Sequence, residues 1–294
     1  MEASFFNHIG SELRSVLGND IKLLGQEPVG GGCISTAVKL KTSGGDFFIK
    51  WNTSSAPDLF LREGEGLAEM RKAAGDELVI PKVFLAAEAG QWPGYIVMEY
   101  LSPGHIPMED ERLGSGLASM HRFVSSRFGF DADNYCGSTP QRNSRSQRWT
   151  DFFIRNRLRF LLDELSRSGR YHTPELNTFE RLISRLPGLL PESPPASLIH
   201  GDLWSGNYLY TTGGPALIDP AAYYAHREME LGMMRLFGGF SGRTWNAYQY
   251  AFPLEPGWEQ RIEIYQLYHL LNHYVLFGGS YGGQALSLAS KYAG

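Results

Sequence analysis

Cysteine is almost missing: only Cys33 and Cys136 occur among 294 residues. Their separation gives no disulfide framework and no metal-ligand spacing, and it fits a reducing, cytoplasmic setting. A stretch of about eighteen consecutive apolar residues is also missing, so no membrane span is expected. The N-terminus, MEASFFNHIGSELRSVLG, lacks the basic segment and apolar run of a signal peptide. Excess positive charge is absent too. With a net charge of −4, no global field recruits nucleic acid or an anionic membrane, and any anionic ligand must be held locally. Internal repeats and low-complexity tracts are lacking.

What is present is a globular composition, 43% hydrophobic and 20% charged, at a length sufficient for two lobes. Phe5, Ile9, Leu13 and Leu17 recur at helical spacing near the N-terminus, with Ser4 as a cap. Residues 21 to 51 then alternate and break like a small antiparallel sheet, with Ser43 to Asp46 as a hairpin turn. DLFLREGEGLAEMRKAAG predicts a helix with Leu59, Phe60, Leu67 and Met70 on one face, ending at Gly75. VIPKVFLAAE and GYIVMEYL supply two more strands. From residue 102 onward helical spacing dominates, interrupted by strand pieces at 198 to 218, while residues 129 to 148 have the composition of a surface loop. The expected architecture is therefore α+β and two-lobed. Residues 1–101 form a sheet lobe, 102–294 a mainly helical lobe, and a cleft lies between them.

LIHGDLWSGNYLY, residues 198 to 210, places Asp202 and Asn207 five positions apart in a turn between apolar runs. Such residues also make ordinary solvated turns. A second acidic turn, ALIDP, brings Asp219 17 positions after Asp202. If the turns face each other, Asp202, Asn207 and Asp219 form an oxygen-only cluster suited to Mg²⁺ rather than zinc. Upstream, Gly30, Gly31 and Gly32 would let backbone N–H groups approach a polyphosphate, although glycines between strands are by themselves simply a turn. Lys50 ends a buried strand and must aim its ammonium at something anionic, and Glu63 or Glu65 on the next helix could hold it. A glycine cover, a strand lysine, a helix glutamate, a base and metal ligands, in this order, are the parts of a phosphoryl-transfer site. The five-residue spacing also matches the protein-kinase pattern H-R-D-x-x-x-x-N.

HGDLWSGN followed by LIDPAAYYAHREMELGMMRLFGGF closely resembles the fructosamine kinase (ketosamine 3-kinase) family, in the aminoglycoside-phosphotransferase-like branch of the protein-kinase-like fold. GGGCIS, FFIKW, LFLREGEGL and YIVMEYL resemble its glycine loop, strand lysine, helix glutamate and hinge. The resemblance implies ATP-dependent phosphorylation of the sugar 3-hydroxyl of ketosamines, on glycated small amines or glycated protein lysines, with ATP and Mg²⁺ as cofactors. It implies Asp202 as catalytic base, Asn207 and Asp219 as magnesium ligands, and Lys50 as phosphate lysine with Glu63 as its partner. Glu99, Tyr100 and Leu101 become the hinge beside adenine. Kinases for aminoglycosides, choline or thiosugars, and a nucleotide-binding pseudokinase, are the alternatives.

The chain departs from the protein-kinase pattern at Ser35 and Gly201, and it has no Asp-Phe-Gly or Ala-Pro-Glu, so control through an activation-loop phosphate is not expected. Glu230 stands where the family is expected to favour Asp. Trp204 either stacks on a sugar or packs beneath its loop. Tyr223, Tyr224, His226 and Arg227 follow the metal turn and are expected to face substrate, unless Arg227 forms a structural ion pair with Glu228 instead. His200 is expected to hold the loop, and His121 and His273 to be core histidines. Cys33 is either a small strand residue or a redox brake acting through a disulfide-linked dimer of an otherwise monomeric chain.

Overall fold

The structure, a computed structural model, describes residues 2–18, 21–30, 35–53 and 56–294. Gly31, Gly32 and Cys33, and with them the glycine-loop and redox expectations, lie outside the described residues.

Helix α1 (Glu2–Leu17) buries Phe5, Ile9 and Leu13 as one stripe, as a spacing of four requires. It covers one face of a five-stranded antiparallel sheet of order β1–β2–β3–β5–β4. The strands are β1 (Leu23–Pro28), β2 (Thr36–Thr42), β3 (Gly45–Asn52), β4 (Val83–Ala87) and β5 (Gly94–Glu99). Strand parity then decides what faces the cleft. Phe47 and Ile49 of β3 belong to the cluster beneath α1, so Phe48 and Lys50 point to the opposite face. On that face α2 (Leu59–Ala73) packs against β4 and β5, and its Phe60, Leu67 and Met70 join the larger core that continues into the helices beyond.

The remainder of the chain is mainly helical. It contains α3 (Glu109–His121), α4 (Trp149–Phe152), a π-helical stretch at Phe153–Arg159, α5 (Phe160–Arg167), α6 (Thr173–Leu189), α7 (Glu228–Phe237), α8 (Gly242–Ala251), α9 (Trp258–Phe277) and α10 (Tyr281–Ala293). Short strands lie among them: β6 (Val124–Ser125), β7 (Asn134–Cys136), β8 (Thr139–Gln141), β9 (Ala196–Ile199), β10 (Tyr208–Thr211), β11 (Gly214–Leu217) and β12 (Tyr223–Ala225). They pair as β12–β9–β6, β10–β11 and β7–β8. The architecture is α+β, and no helix among the described residues is long and apolar enough to cross a membrane.

Two features differ from the sequence reading. Helices α8 and α10 were not expected; α10 buries Ala285, Ala289 and Ala293, whose small side chains give little hydrophobic signal. Residues 129 to 148 are not a solvated loop. They carry the β7–β8 hairpin and the buried Asn134, Gln141 and Asn143, whose polar groups are satisfied internally.

Candidate active site

Strand β9 delivers the chain to His200, and the β10–β11 hairpin returns it to Asn207, whose carbonyl accepts the Ile218 N–H at 3.0 Å. Asp219 follows immediately, with φ 55°. The two acidic turns are joined a second time where the Ala221 N–H donates to the His200 carbonyl at 2.9 Å. This closeness dictates Gly201, which has φ +83° and where any Cβ would collide with the Ala221 carbonyl oxygen.

Across the cleft, Lys50 Nζ lies 2.9 Å from Glu63 Oε2 and 2.8 Å from Asp219 Oδ1. Glu65, two residues further along α2 than Glu63, pairs with Arg62 instead. Burial opposes the Lys50 charge, but the two carboxylates outweigh it and raise its proton affinity above the ordinary lysine range. The ammonium therefore stays protonated. Burial pushes Glu63 up to about 7, against the pull of Lys50; at 2.9 Å from a permanent cation we read the pair as ionised.

Asp202 shares this cavity, which is about 740 Å³ and is lined also by Gly30, Lys50, Glu63, Asn207 and Asp219. Burial pushes the Asp202 carboxyl up to about 8, the Asn207 hydrogen bond working the other way and the Asp219 and Glu230 charges adding to the rise. Asn207 Nδ2 donates to the Asp202 carbonyl at 2.8 Å and to its Oδ2 at 3.2 Å, so the amide oxygen is not spent on the loop. Beside it, the Asp219 side chain is 42% exposed. One carboxylate and one carboxamide oxygen fit a hard cation such as Mg²⁺.

The end of β5 closes the cavity on another side. Glu99, Tyr100 and Leu101 line it together with the apolar Ala37 and Met98. The Glu99 N–H donates to the Lys82 carbonyl at 2.8 Å, and the Tyr100 ring lies under Lys39 Nζ at 4.1 Å. The Glu99 N–H is therefore spent within the protein, and Leu101 follows it on the lining.

Behind the loop, Glu230 is fully buried and accepts the His200 N–H at 2.6 Å and the Gly201 N–H at 2.9 Å. His200 Nε2–H donates to the Ile218 carbonyl at 2.7 Å and its Nδ1 accepts the Asp202 N–H at 3.2 Å, so this imidazole holds the loop. His121, also fully buried, binds the Tyr248 hydroxyl at 2.8 Å and Glu230 at 3.4 Å.

Several expectations need correction. Tyr223 and His226 do not face the cleft. Strand β12 is covered on both sides, so Tyr223 is 0% exposed, stacked on Phe152 and beneath Arg157, while His226 bonds the Tyr265 hydroxyl at 2.9 Å. Arg227 and Glu228 do not pair: Arg227 binds the Phe252 and Pro253 carbonyls, and Glu228 holds Arg261. His273 is not a core residue but part of the cavity wall, packed against Phe237, Phe277 and Tyr281. Trp204 does two things at once, lying over Gly206 while remaining 41% exposed on the same wall. Sequence reasoning missed Tyr135, Cys136 and Asn272 on the lining; the loop composition of the first two and the helical pattern around the third concealed them.

A fructosamine kinase family profile matches residues 5–293. The chain belongs to the fructosamine kinase family. Family membership makes it a phosphotransferase that uses ATP. It is 38% identical over 268 residues to the chloroplastic protein-ribulosamine 3-kinase of Arabidopsis thaliana, covering 90% of this chain and 81% of that one. It is 33% identical over 288 residues to the ketosamine-3-kinase of Mus musculus, covering 88% and 92%. A crystal structure assigned as a fructosamine-3-kinase, from Thermobifida fusca, superposes with a TM-score of 0.85 at 29% identity over 98% of each chain. An aminoglycoside phosphotransferase shares the fold, with a TM-score of 0.63 at 14% identity over 96% of this chain and 97% of that one.

Proposed function

We propose that this protein is an ATP-dependent ketosamine 3-kinase, phosphorylating the sugar 3-hydroxyl of ribulosamine or fructosamine adducts of amines or protein lysines. The observation that carries the reading is the meeting of Lys50, Glu63 and Asp219 within 3 Å contacts in the cavity that also holds Asp202. Asp202 is the base: the hydroxyl oxygen attacks the γ-phosphorus, the bond to the β,γ-bridging oxygen breaks to release ADP, and the hydroxyl proton passes to the carboxylate. Lys50, fixed by Glu63, holds the phosphates, and the backbone of Glu99 and Leu101 meets adenine. Asn207 and Asp219 would hold Mg²⁺, which when bound neutralises charge on the phosphate oxygens. Gly30, Trp204 and His273 line the same cavity; on this reading Gly30 approaches the phosphates and Trp204 the acceptor.

The functional division falls after residue 101, with the sheet half cradling nucleotide and the helical half supplying the base. A cytoplasmic setting suits a chain with two cysteines. Relatives sharing about a third of their residues bear ketosamine or ribulosamine kinase names, whereas the aminoglycoside enzyme shares 14%, which supports the ketosamine reading over the aminoglycoside one. The test is ATP-dependent phosphate incorporation into ribulose-lysine and fructose-lysine against an aminoglycoside and choline, with Asp202→Asn as control. Incorporation into the ketosamines that disappears in the variant is expected. Incorporation into only the other acceptors, or equal activity in the variant, defeats the reading.

A further inference from the structure

We propose that Tyr135 and Tyr224 are positioning residues for phosphoryl transfer: each binds a carboxylate near one end of α2, and together they keep Glu63 on Lys50 before nucleotide arrives. The proposal rests on the reading of Lys50 and Glu63 given above. The Tyr135 hydroxyl donates to Asp58 Oδ1 at 2.6 Å, immediately before α2 begins, and the Tyr224 hydroxyl donates to Glu69 Oε1 at 2.6 Å, toward its end. Glu63 lies between these anchors. The other partners of the same carboxylates, Arg62 for Asp58 and Lys72 for Glu69, are on α2 itself and tie it to nothing else. Between the anchors, Gly66 sits so close to the segment after Asp219 that a Cβ there would be 3.2 Å from Ala222 Cβ.

Both tyrosines are presented by parts of the fold that are fixed to the acidic turns. Asn134, beside Tyr135, donates to the Ala222 carbonyl at 2.9 Å, and Gln141 donates to the Ala221 carbonyl at 3.1 Å and to Asn134 Oδ1 at 2.8 Å. Asn143 adds a bond to Asn134 Oδ1 at 2.8 Å and accepts from the fully buried Arg157 at 2.9 Å. Tyr224 pairs with Leu198 across β12 and β9, the strand that leads to Asp202. Burial, with Asp58 adding to it, pushes the Tyr135 hydroxyl up to about 12, so it remains a donor near neutral pH. Helix α2 therefore belongs mechanically with Asp202 and Asp219. Glu63 and Asp219 form a preset pair of carboxylates, and Lys50 on the sheet docks between them. No loop needs to be phosphorylated for this pair to form.

The test is a mutant cycle in the full chain: Tyr135→Phe with Tyr224→Phe, in wild-type and Glu63→Gln backgrounds, reading kcat and KM for ATP and KM for ribulose-lysine. The doubly substituted protein should lose about tenfold in kcat/KM for ATP, the scale of lost hydrogen bonds to charged groups, and keep the acceptor KM within about twofold. In the Glu63→Gln background the same pair should cause no further loss, because the contact it protects is already gone. Should the tyrosine variants fold poorly, Asp58→Ala with Glu69→Ala removes the two acceptors, and with them the same two bonds, from the helix side and should give the same pattern. An equal loss in both backgrounds, a loss shared by the acceptor KM, or no loss overturns the proposal. Unchanged ATP kinetics in Glu63→Gln alone would instead overturn the Lys50–Glu63 reading, and the positioning role with it.

Discussion

Replacing Glu230 by Gln changes one oxygen to an NH₂ group and nothing in shape, so its effect measures what the carboxylate does for the loop that carries Asp202. In the native protein one oxygen accepts the His200 N–H at 2.6 Å and the other the Gly201 N–H at 2.9 Å. Burial works to raise the Glu230 carboxyl, but His121 and His200 outweigh it and hold it below the ordinary range, so both acceptors are charge-assisted. A glutamine can satisfy only one of the two donors in either flip. The other backbone N–H then faces an NH₂ group in a fully buried site. Losing a hydrogen bond to a charged group and leaving a buried donor unpaired should together cost about 2–4 kcal/mol. That is a large fraction of the roughly 5–15 kcal/mol that stabilises a typical domain. Any shift of Gly201 also moves Asp202, and a displacement of about 1 Å at a reacting group costs on the order of 100-fold in rate. Urea unfolding reports the first quantity and kcat with ribulose-lysine the second. Glu230→Asp keeps both acceptors and loses only reach, so it should be milder in both assays. A Glu230→Gln protein within about 0.5 kcal/mol of wild type, with unchanged kcat, would show that the carboxylate does not hold the loop.

Lys50→Met should lower kcat/KM for ATP by about 100-fold or more, since it removes a preorganised cation from the phosphates; steady-state kinetics showing a loss below about threefold would contradict the assigned role. Gly201→Ala should destabilise by more than about 2 kcal/mol through left-handed strain and the clash with Ala221, and an unchanged urea midpoint would refute the backbone argument. Acid should weaken the fold through buried histidines. His226 is held well below the ordinary range by burial and by the Arg261 and Arg227 charges, and burial lowers His269 to about 3. Both stay neutral when folded while the unfolded chain takes up protons below about pH 6.5, so their contribution is complete above that pH and is lost as pH falls, by up to about 1.4 kcal/mol per pH unit each. Thermal unfolding should therefore show a lower Tm at pH 5 than at pH 7, and equal values would contradict this linkage.

The parts of the candidate site that could be read from sequence share one property: a few neighbouring residues fix each of them. Strand parity in FFIKW turns Lys50 away from the α1 face, and the apolar flanks of HGDLWSGN and LIDP place both acidic turns at strand ends. Tyr135 and Tyr224 obey no such local rule. Their carboxylate partners lie 77 and 155 positions away, and the loop around Tyr135 has the composition of a solvated surface. Its polar side chains are buried because the backbone carbonyls of Ala221 and Ala222 offer them acceptors, a fact about a distant segment. The misreading of Tyr223 and His226 has the opposite origin. Proximity in sequence to Asp219 suggested that they face the cleft, but β12 pairs with β9 directly behind the loop, which sends both side chains into the core. Sequence thus carries the identity of the groups proposed to act on the phosphate, whereas the contacts that hold those groups in register depend on which distant backbone is left with an acceptor to offer. Substitutions at Tyr135 or Gln141 should accordingly be felt at Lys50, through α2, although neither residue is near it in the chain.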